Sequence, residues 1–246
     1  LEEETLPSQP TPTKLQKRSL PSNPLAYYYF LLSQLKSKEG KVDEAIGDLK
    51  QAIARDPKEP SLHIELATLY IHKGLLNEAT EECKTALLDD PNYLPAHLLL
   101  GGLYSILKTY PMAIASYKKV LEIDPQNRES YLFLGSLYEE TQEHEQAINV
   151  LKQFLKIEPN SVMGLYALGR IYIRTKSYES AKQYFLKALA IEPNLISVLM
   201  DLGMTYEIQK EPEKAADVYK KILNLDPDNK KARSRLGQIF VKEKKF

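Results

Sequence analysis

The 246-residue sequence has little of what chemistry at a site requires. It holds one cysteine and four histidines. A lone thiol has no partner for a disulfide or a metal. Cys83 occupies a slot filled elsewhere by Tyr117, Leu151, Phe185 and Tyr219, so it reads as a small buried hydrophobe. His63, His72, His97 and His144 include no pair four residues apart and no carboxylate or cysteine set that completes a metal site. Their slots point to core or edge packing. There is no glycine-rich phosphate loop, nucleophile elbow or pair of catalytic carboxylates. Gly101 and Gly102 lie inside a helical pattern, where they serve close packing. No catalytic residue, metal or cofactor is therefore expected.

An excess of one charge is missing as well, since 33 Lys and Arg cancel 33 Asp and Glu. Residues 26–229 carry 23 basic against 29 acidic side chains, and residues 230–246 carry 7 against 1. Phosphate binding needs Lys and Arg clustered on a binding face. Only Lys230, Lys231, Arg233 and Arg235 form such a cluster, so nucleic acid is not expected as a partner. No apolar run approaches the ~20 residues of a membrane span. The longest near an end, Leu25 to Leu32, belongs to a first helix.

What the chain does have is a period of 34. Proline recurs at Pro57, Pro91, Pro125, Pro159, Pro193 and Pro227, each after an acid, and alanine at Ala45, Ala79, Ala113, Ala147, Ala181 and Ala215. Leucine recurs at Leu32, Leu66, Leu100, Leu134, Leu168, Leu202 and Leu236, each followed by Ser, Ala or Gly. Tyr70, Tyr104, Tyr138, Tyr172, Tyr206 and Phe240 stand four residues later. Recurrence at this interval marks a repeat architecture. Tyr131, Leu134, Gly135 and Tyr138 fall on one stripe of a first helix, and Ala147, Leu151, Phe154 and Leu155 on a second after a break at Gln142 to His144. A small residue after leucine lets two helix axes approach. Proline ends the second helix and turns the chain.

These residues resemble the tetratricopeptide repeat family over residues 26–240. The resemblance implies an all-α fold, a right-handed α-solenoid of antiparallel helix pairs. Departures are local: His63, His97, Leu165 and Leu199 occupy the first aromatic slot, and Lys36 replaces tyrosine in the first unit, which suggests an atypical end cap. The expected organisation is a flexible proline-rich tether at 1–24, six repeats at 25–229 in one elongated domain, and a capping helix or the start of a seventh repeat at 230–246. Leu15 to Leu20 is alternatively a tethered docking peptide. The chain begins at Leu1 and not at methionine, which implies removal of a start segment with room for a signal sequence. The compartment stays open between the cytoplasm and export with a lipid anchor.

In the family, first helices line a concave groove. The residue after the first aromatic slot is apolar in six units, namely Phe30, Ile64, Leu98, Leu132, Tyr166 and Met200. This row is expected along the groove floor, with Gln34, Thr68, Arg170, Arg174 and Met204 around it, where it receives a peptide or helix of a protein partner. The bland alternative is that the row is covered by neighbouring repeats. Glu129, Glu139 and Glu140 face Arg170 and Arg174, either as internal pairs or as readers of ligand charge. Some family members clamp a terminal carboxylate with Lys, Asn and Arg; here those slots hold Phe30, Gln34, Glu65, Pro95 and Leu99, which disfavours that mode. A non-enzymatic protein-interaction scaffold is the leading reading. Self-association and a regulatory part of a larger enzyme are the alternatives, and an RNA-binding helical repeat ranks below them.

Overall fold

The computed structural model describes residues 20–242, so the expected tether up to residue 19 lies outside the described residues. Among these residues there are thirteen helices and no strand. The chain divides into two compact units, residues 1–96 and 97–246, where the sequence suggests one elongated domain. The first unit contains α1 (Pro24–Lys38), α2 (Val42–Ile53), α3 (Pro60–His72) and α4 (Leu76–Asp89), and the boundary falls within α5 (Leu94–Ile106). The second contains α6 (Tyr110–Ile123), α7 (Arg128–Glu140), α8 (His144–Ile157), α9 (Val162–Arg174), α10 (Tyr178–Ile191), α11 (Ile196–Ile208), α12 (Pro212–Leu225) and α13 (Lys230–Lys242). Within each unit a first helix packs on the second helix that follows it, as in α1 with α2 and α9 with α10, and that second helix packs on the next first helix.

Capping and proline chemistry set the helix starts. Asn23 accepts from the N–H groups of Leu25 and Ala26 at the head of α1, with Pro24 at a position that has no N–H to satisfy. The residues just before α1 are tied down, which corrects a tether running to residue 24. The Ser22 N–H and hydroxyl donate to Asp56 Oδ2 at 3.0 and 3.1 Å, and Pro21 is buried. Asp56 is the acid of the first acid-proline pair. Asp90, Asp124 and Asp226 use theirs differently, each accepting from the N–H two residues on across the proline. Glu158 instead pairs with Arg128 at 3.3 Å.

The turn from first to second helix has the same geometry throughout. Gly40, Gly74, Lys108, Gln142, Lys176 and Lys210, 34 residues apart, all have positive φ, between 57° and 78°. The residue after each donates its N–H back five positions, as Glu143 does to the Tyr138 carbonyl at 2.7 Å and Ser177 to Tyr172 at 2.8 Å. This closes the helix carbonyl end with a left-handed residue. Glycine adopts that conformation without a Cβ penalty, whereas Lys and Gln do so at a cost of about 1–2 kcal/mol.

Close helix contact depends on the residue after leucine. A Cβ on Gly169 would lie 2.5 Å from the Phe185 ring, on Gly203 2.7 Å from Tyr219, and on Gly135 2.9 Å from Leu151. Each ring or branched side chain of a second helix thus fills the space of the missing methyl. Phe185, Tyr219 and Leu151 are no more than 1% exposed as a result. Gly237 differs, with nothing within 4 Å of its Cβ direction.

Two polar residues in the first unit are absorbed into packing. Cys83 is fully buried, and desolvation pushes its pKa to about 12, so the thiol stays protonated. His63 is 6% exposed, with Nδ1 2.7 Å from Glu82 Oε2 and Nε2 3.1 Å from the Pro57 carbonyl oxygen. Both partners only accept, so both ring nitrogens donate and the imidazolium is the form that fits. Burial acts to lower the His63 pKa, but the bonds to Glu82 and Pro57 outweigh it and hold it above its usual value.

Gly169→Ala should destabilise the chain by about 1–3 kcal/mol through overpacking against Phe185. Gly237→Ala should be neutral or stabilise by up to about 1 kcal/mol through helix propensity; urea denaturation of both variants checks the contrast. Because the folded pKa of His63 is raised, its pairing stabilises fully below pH ~6.5 and the contribution is lost as pH rises through the folded value. The stability gap between the parent and His63→Phe should therefore shift against the parent as pH is raised from 5 to 9, measured by denaturation at each pH.

Candidate functional site

In the second unit the first helices α7, α9 and α11 lie in sequence along one face, and the expected site residues of this part fall there. Two cavities open on it. One of about 240 Å³ is lined by Leu132, Gly135, Ser136 and Glu139 of α7, Leu151 of α8, and Met163, Tyr166, Ala167, Arg170 and Ile171 of α9. The other, about 260 Å³, is lined by Arg170, Ile173 and Arg174 of α9 with Asp201, Met204 and Ile208 of α11. Arg170 is common to both. The face therefore brings together Leu132, Tyr166, Arg170, Arg174 and Met204. Met200 is half-buried against the core of α11, α12 and α13, and Leu98 is half-buried in α5.

Polar side chains link successive first helices along this face. Arg174 Nε stands 2.6 Å from Glu139 Oε1, and the Tyr166 hydroxyl donates to Asp201 Oδ2 at 2.9 Å. Burial, with the Asp201 carboxylate adding to it, pushes the Tyr166 pKa up to about 12, so its phenol remains a donor. The Tyr219 hydroxyl donates to Glu207, which also lies 3.5 Å from Arg235. Of the two arginines, Arg174 is thus engaged internally. Arg170 is exposed and stands over the Tyr166 ring at 5.9 Å.

In the first unit, Phe30 and Gln34 line a cavity of about 300 Å³ with Ser33, Ser37, Lys38, Leu49, Glu65 and Leu69. Phe30 is 7% exposed and belongs to the core with Leu49 and Leu66, so it is a wall of packed structure more than an open surface. Ile64 and Thr68 are half-buried, and the Thr68 hydroxyl is spent on the Ile64 carbonyl at 2.9 Å. Lys36, in the tyrosine slot, reaches Asp48 at 2.7 Å and Glu44 at 3.4 Å.

A cavity of about 470 Å³ that the groove pattern does not anticipate lies among α6, α7 and α8, walled by Lys118, Glu122, Tyr138, Gln146, Asn149 and Gln153 among others. Its sequence signal is a lysine 20 residues before the tyrosine in four of the five units, at Lys50, Lys84, Lys118 and Lys152. Lys50 lies over Tyr70 at 5.8 Å, Lys118 over Tyr138 at 5.7 Å and Lys152 over Tyr172 at 5.9 Å. The ammonium group of each of these lysines lies over a ring of the next first helix, a cation–π contact that ties second helix to first. Among the described residues no group of three or more His, Cys, Asp or Glu is placed to hold a metal ion. No helix among them is long and apolar enough to cross a membrane.

Comparison with known proteins bears on this geometry. No curated protein matches the sequence. Residues 37–104 and 196–229 match the tetratricopeptide repeat family, and residues 107–188 match anaphase-promoting complex, cyclosome, subunit 3. A crystal structure of MamA is 26% identical, with a TM-score of 0.64 over 70% of this chain and 94% of that one. The C-terminal part of a TPR repeat-containing protein from Cytophaga hutchinsonii is 21% identical, with a TM-score of 0.77 over 90% and 89%. YrrB, described as a TPR protein with an unusual peptide-binding site, is 19% identical, with a TM-score of 0.63 over 80% and 98%. At these identities the last two speak to the fold alone.

Proposed function

This chain belongs to the tetratricopeptide repeat family, and from that premise we propose that it is a non-enzymatic interaction scaffold whose second unit holds a partner peptide against α7, α9 and α11. The observation that carries the reading is the pair of cavities sharing Arg170. Each, at about 240 and 260 Å³, is smaller than the ~300–1,000 Å³ of small-molecule sites. Such volumes suit single anchoring side chains, and two of them in a row suit a chain that presents two apolar residues. Met163, 67% exposed, and Ile208, 49% exposed, offer apolar surface at the two rims. The thioethers of Met163 and Met204 adapt to anchors of different shape. Arg170 between the cavities is free to meet a carboxylate or a backbone carbonyl lying between the anchors.

The fixed parts of the face support this division of labour. Arg174 with Glu139, and Tyr166 with Asp201, hold neighbouring first helices at a set spacing. A ligand then meets walls that are already ordered, which limits the entropy lost on binding.

Peptides selected from a random library on the whole chain test the reading. A selected peptide should lose affinity about tenfold or more, 1.4 kcal/mol per decade, with Arg170→Glu and with Met163→Glu. It should bind Leu186→Glu, a change at an exposed position of α10, as it binds the parent. Equal binding to all three variants would place the peptide elsewhere and sink the proposal.

A further inference from the structure

The first unit carries a second surface, independent of the peptide face. In each repeat the first helix has two slots, seven residues apart, that turn toward the second helix of the preceding repeat. In α9 the first of these is Gly164, where a Cβ would meet Phe154 and Leu155 of α8 at 2.9 and 3.1 Å. The slots hold Leu62 and Leu69 in α3, Ser130 and Leu137 in α7, Val198 and Thr205 in α11, and Ala232 and Ile239 in α13, none more than 7% exposed. In α1 the same slots hold Tyr28 and Leu35, and both are 55% exposed. Leu25 and Leu31 beside them are 60% and 46% exposed. The stacking face of the repeat is therefore continued at α1 in large apolar residues with no helix of the described residues packed over it.

An array end that only meets water carries polar residues there. Lys231, Arg233, Ser234, Arg235 and Gln238 expose such a surface on α13. On α1, by contrast, residues 24–35 contain no Lys, Arg, His, Asp or Glu. Four half-exposed large side chains make a patch of several hundred Å², at the upper end for ordinary monomers. The sequence of residues 1–19 is poorly suited to cover it, because Leu1, Leu6 and Leu15 are interrupted by Pro7, Pro10 and Pro12 and form no helical stripe.

We propose that α1 pairs with α1 of a second copy of this chain about a two-fold axis. Antiparallel α1 helices set Leu31 near its own counterpart and Tyr28 of one copy opposite Leu35 of the other, so the patch is its own complement. The absence of charge along residues 24–35 means that like charges do not meet across the axis. Twice the patch falls below the ~1,200 Å² of stable complexes, which makes the pair a reversible one.

Sedimentation of the whole chain should show a mass rising from one to two chains through the micromolar range. Leu35→Glu should hold it at one while circular dichroism stays unchanged. Leu31→Cys should form a disulfide-linked dimer under mild oxidation, and Leu186→Cys should not; buried Cys83 does not compete. A parent chain that remains monomeric throughout overturns the pairing. So does a dimer untouched by Leu35→Glu, or cross-linking no better than that of the Leu186→Cys control. A monomer whose introduced thiol at position 31 resists alkylation would assign the face to the chain's own residues 1–19 and equally overturn it.

Discussion

The structure depends on how closely two helix backbones approach at the residue after each leucine. At Gly101, Gly135, Gly169 and Gly203 a side chain from the following helix occupies the space a methyl group would need. Ser33 and Ala67 hold the same place in the first unit. That approach buries the large second-helix residue completely, and the aromatic or branched group there supplies about 1.5–3 kcal/mol of burial at each notch. Because each notch involves one first helix and the second helix that follows, stability accumulates from neighbour to neighbour.

Burial on one side of a first helix also decides what the other side is free to do. With leucine, glycine and tyrosine consumed against the second helices, the residue after the first aromatic slot is turned to the opposite face, where Leu132 and Tyr166 wall a cavity with Arg170. In the proposed reading, function on this scaffold is carried by side chains outside the packed stripe. The engaged members of the face, Tyr166 through Asp201 and Arg174 through Glu139, hold its walls in place. Arg170 and Met163 are exposed and take no part in those two bonds.

Most of the helical architecture is legible in the residues, since proline, glycine and the leucine-tyrosine stripe each have a steric meaning that does not depend on context. The left-handed turns are legible at Gly40 and Gly74 but not at Lys108, Gln142, Lys176 and Lys210, because lysine and glutamine carry no propensity for positive φ and are held there by the bond from the next N–H. The site is legible in part. Sequence spacing places Phe30 and Tyr166 in one row, yet Phe30 sinks into the core of α1, α2 and α3 while Tyr166 lines an opening and bonds Asp201 35 residues away. Depth is decided by neighbours in space, and a one-dimensional period does not contain it. The division into two units is likewise invisible in a period that runs through the boundary without a change of phase.

The recurring left-handed turn has a consequence for how such a chain can change over generations. Surface connections commonly accept added or lost residues. Here one extra residue between the Tyr138 carbonyl and the Glu143 N–H would rotate the start of the next helix by about 100°, carrying its alanine and its buried ring off the notch. Replacement of one turn residue by another is tolerated, as Gly, Lys and Gln in the same position attest, whereas a change of length is not. The chain is thus free to drift in letters while its metre stays at 34.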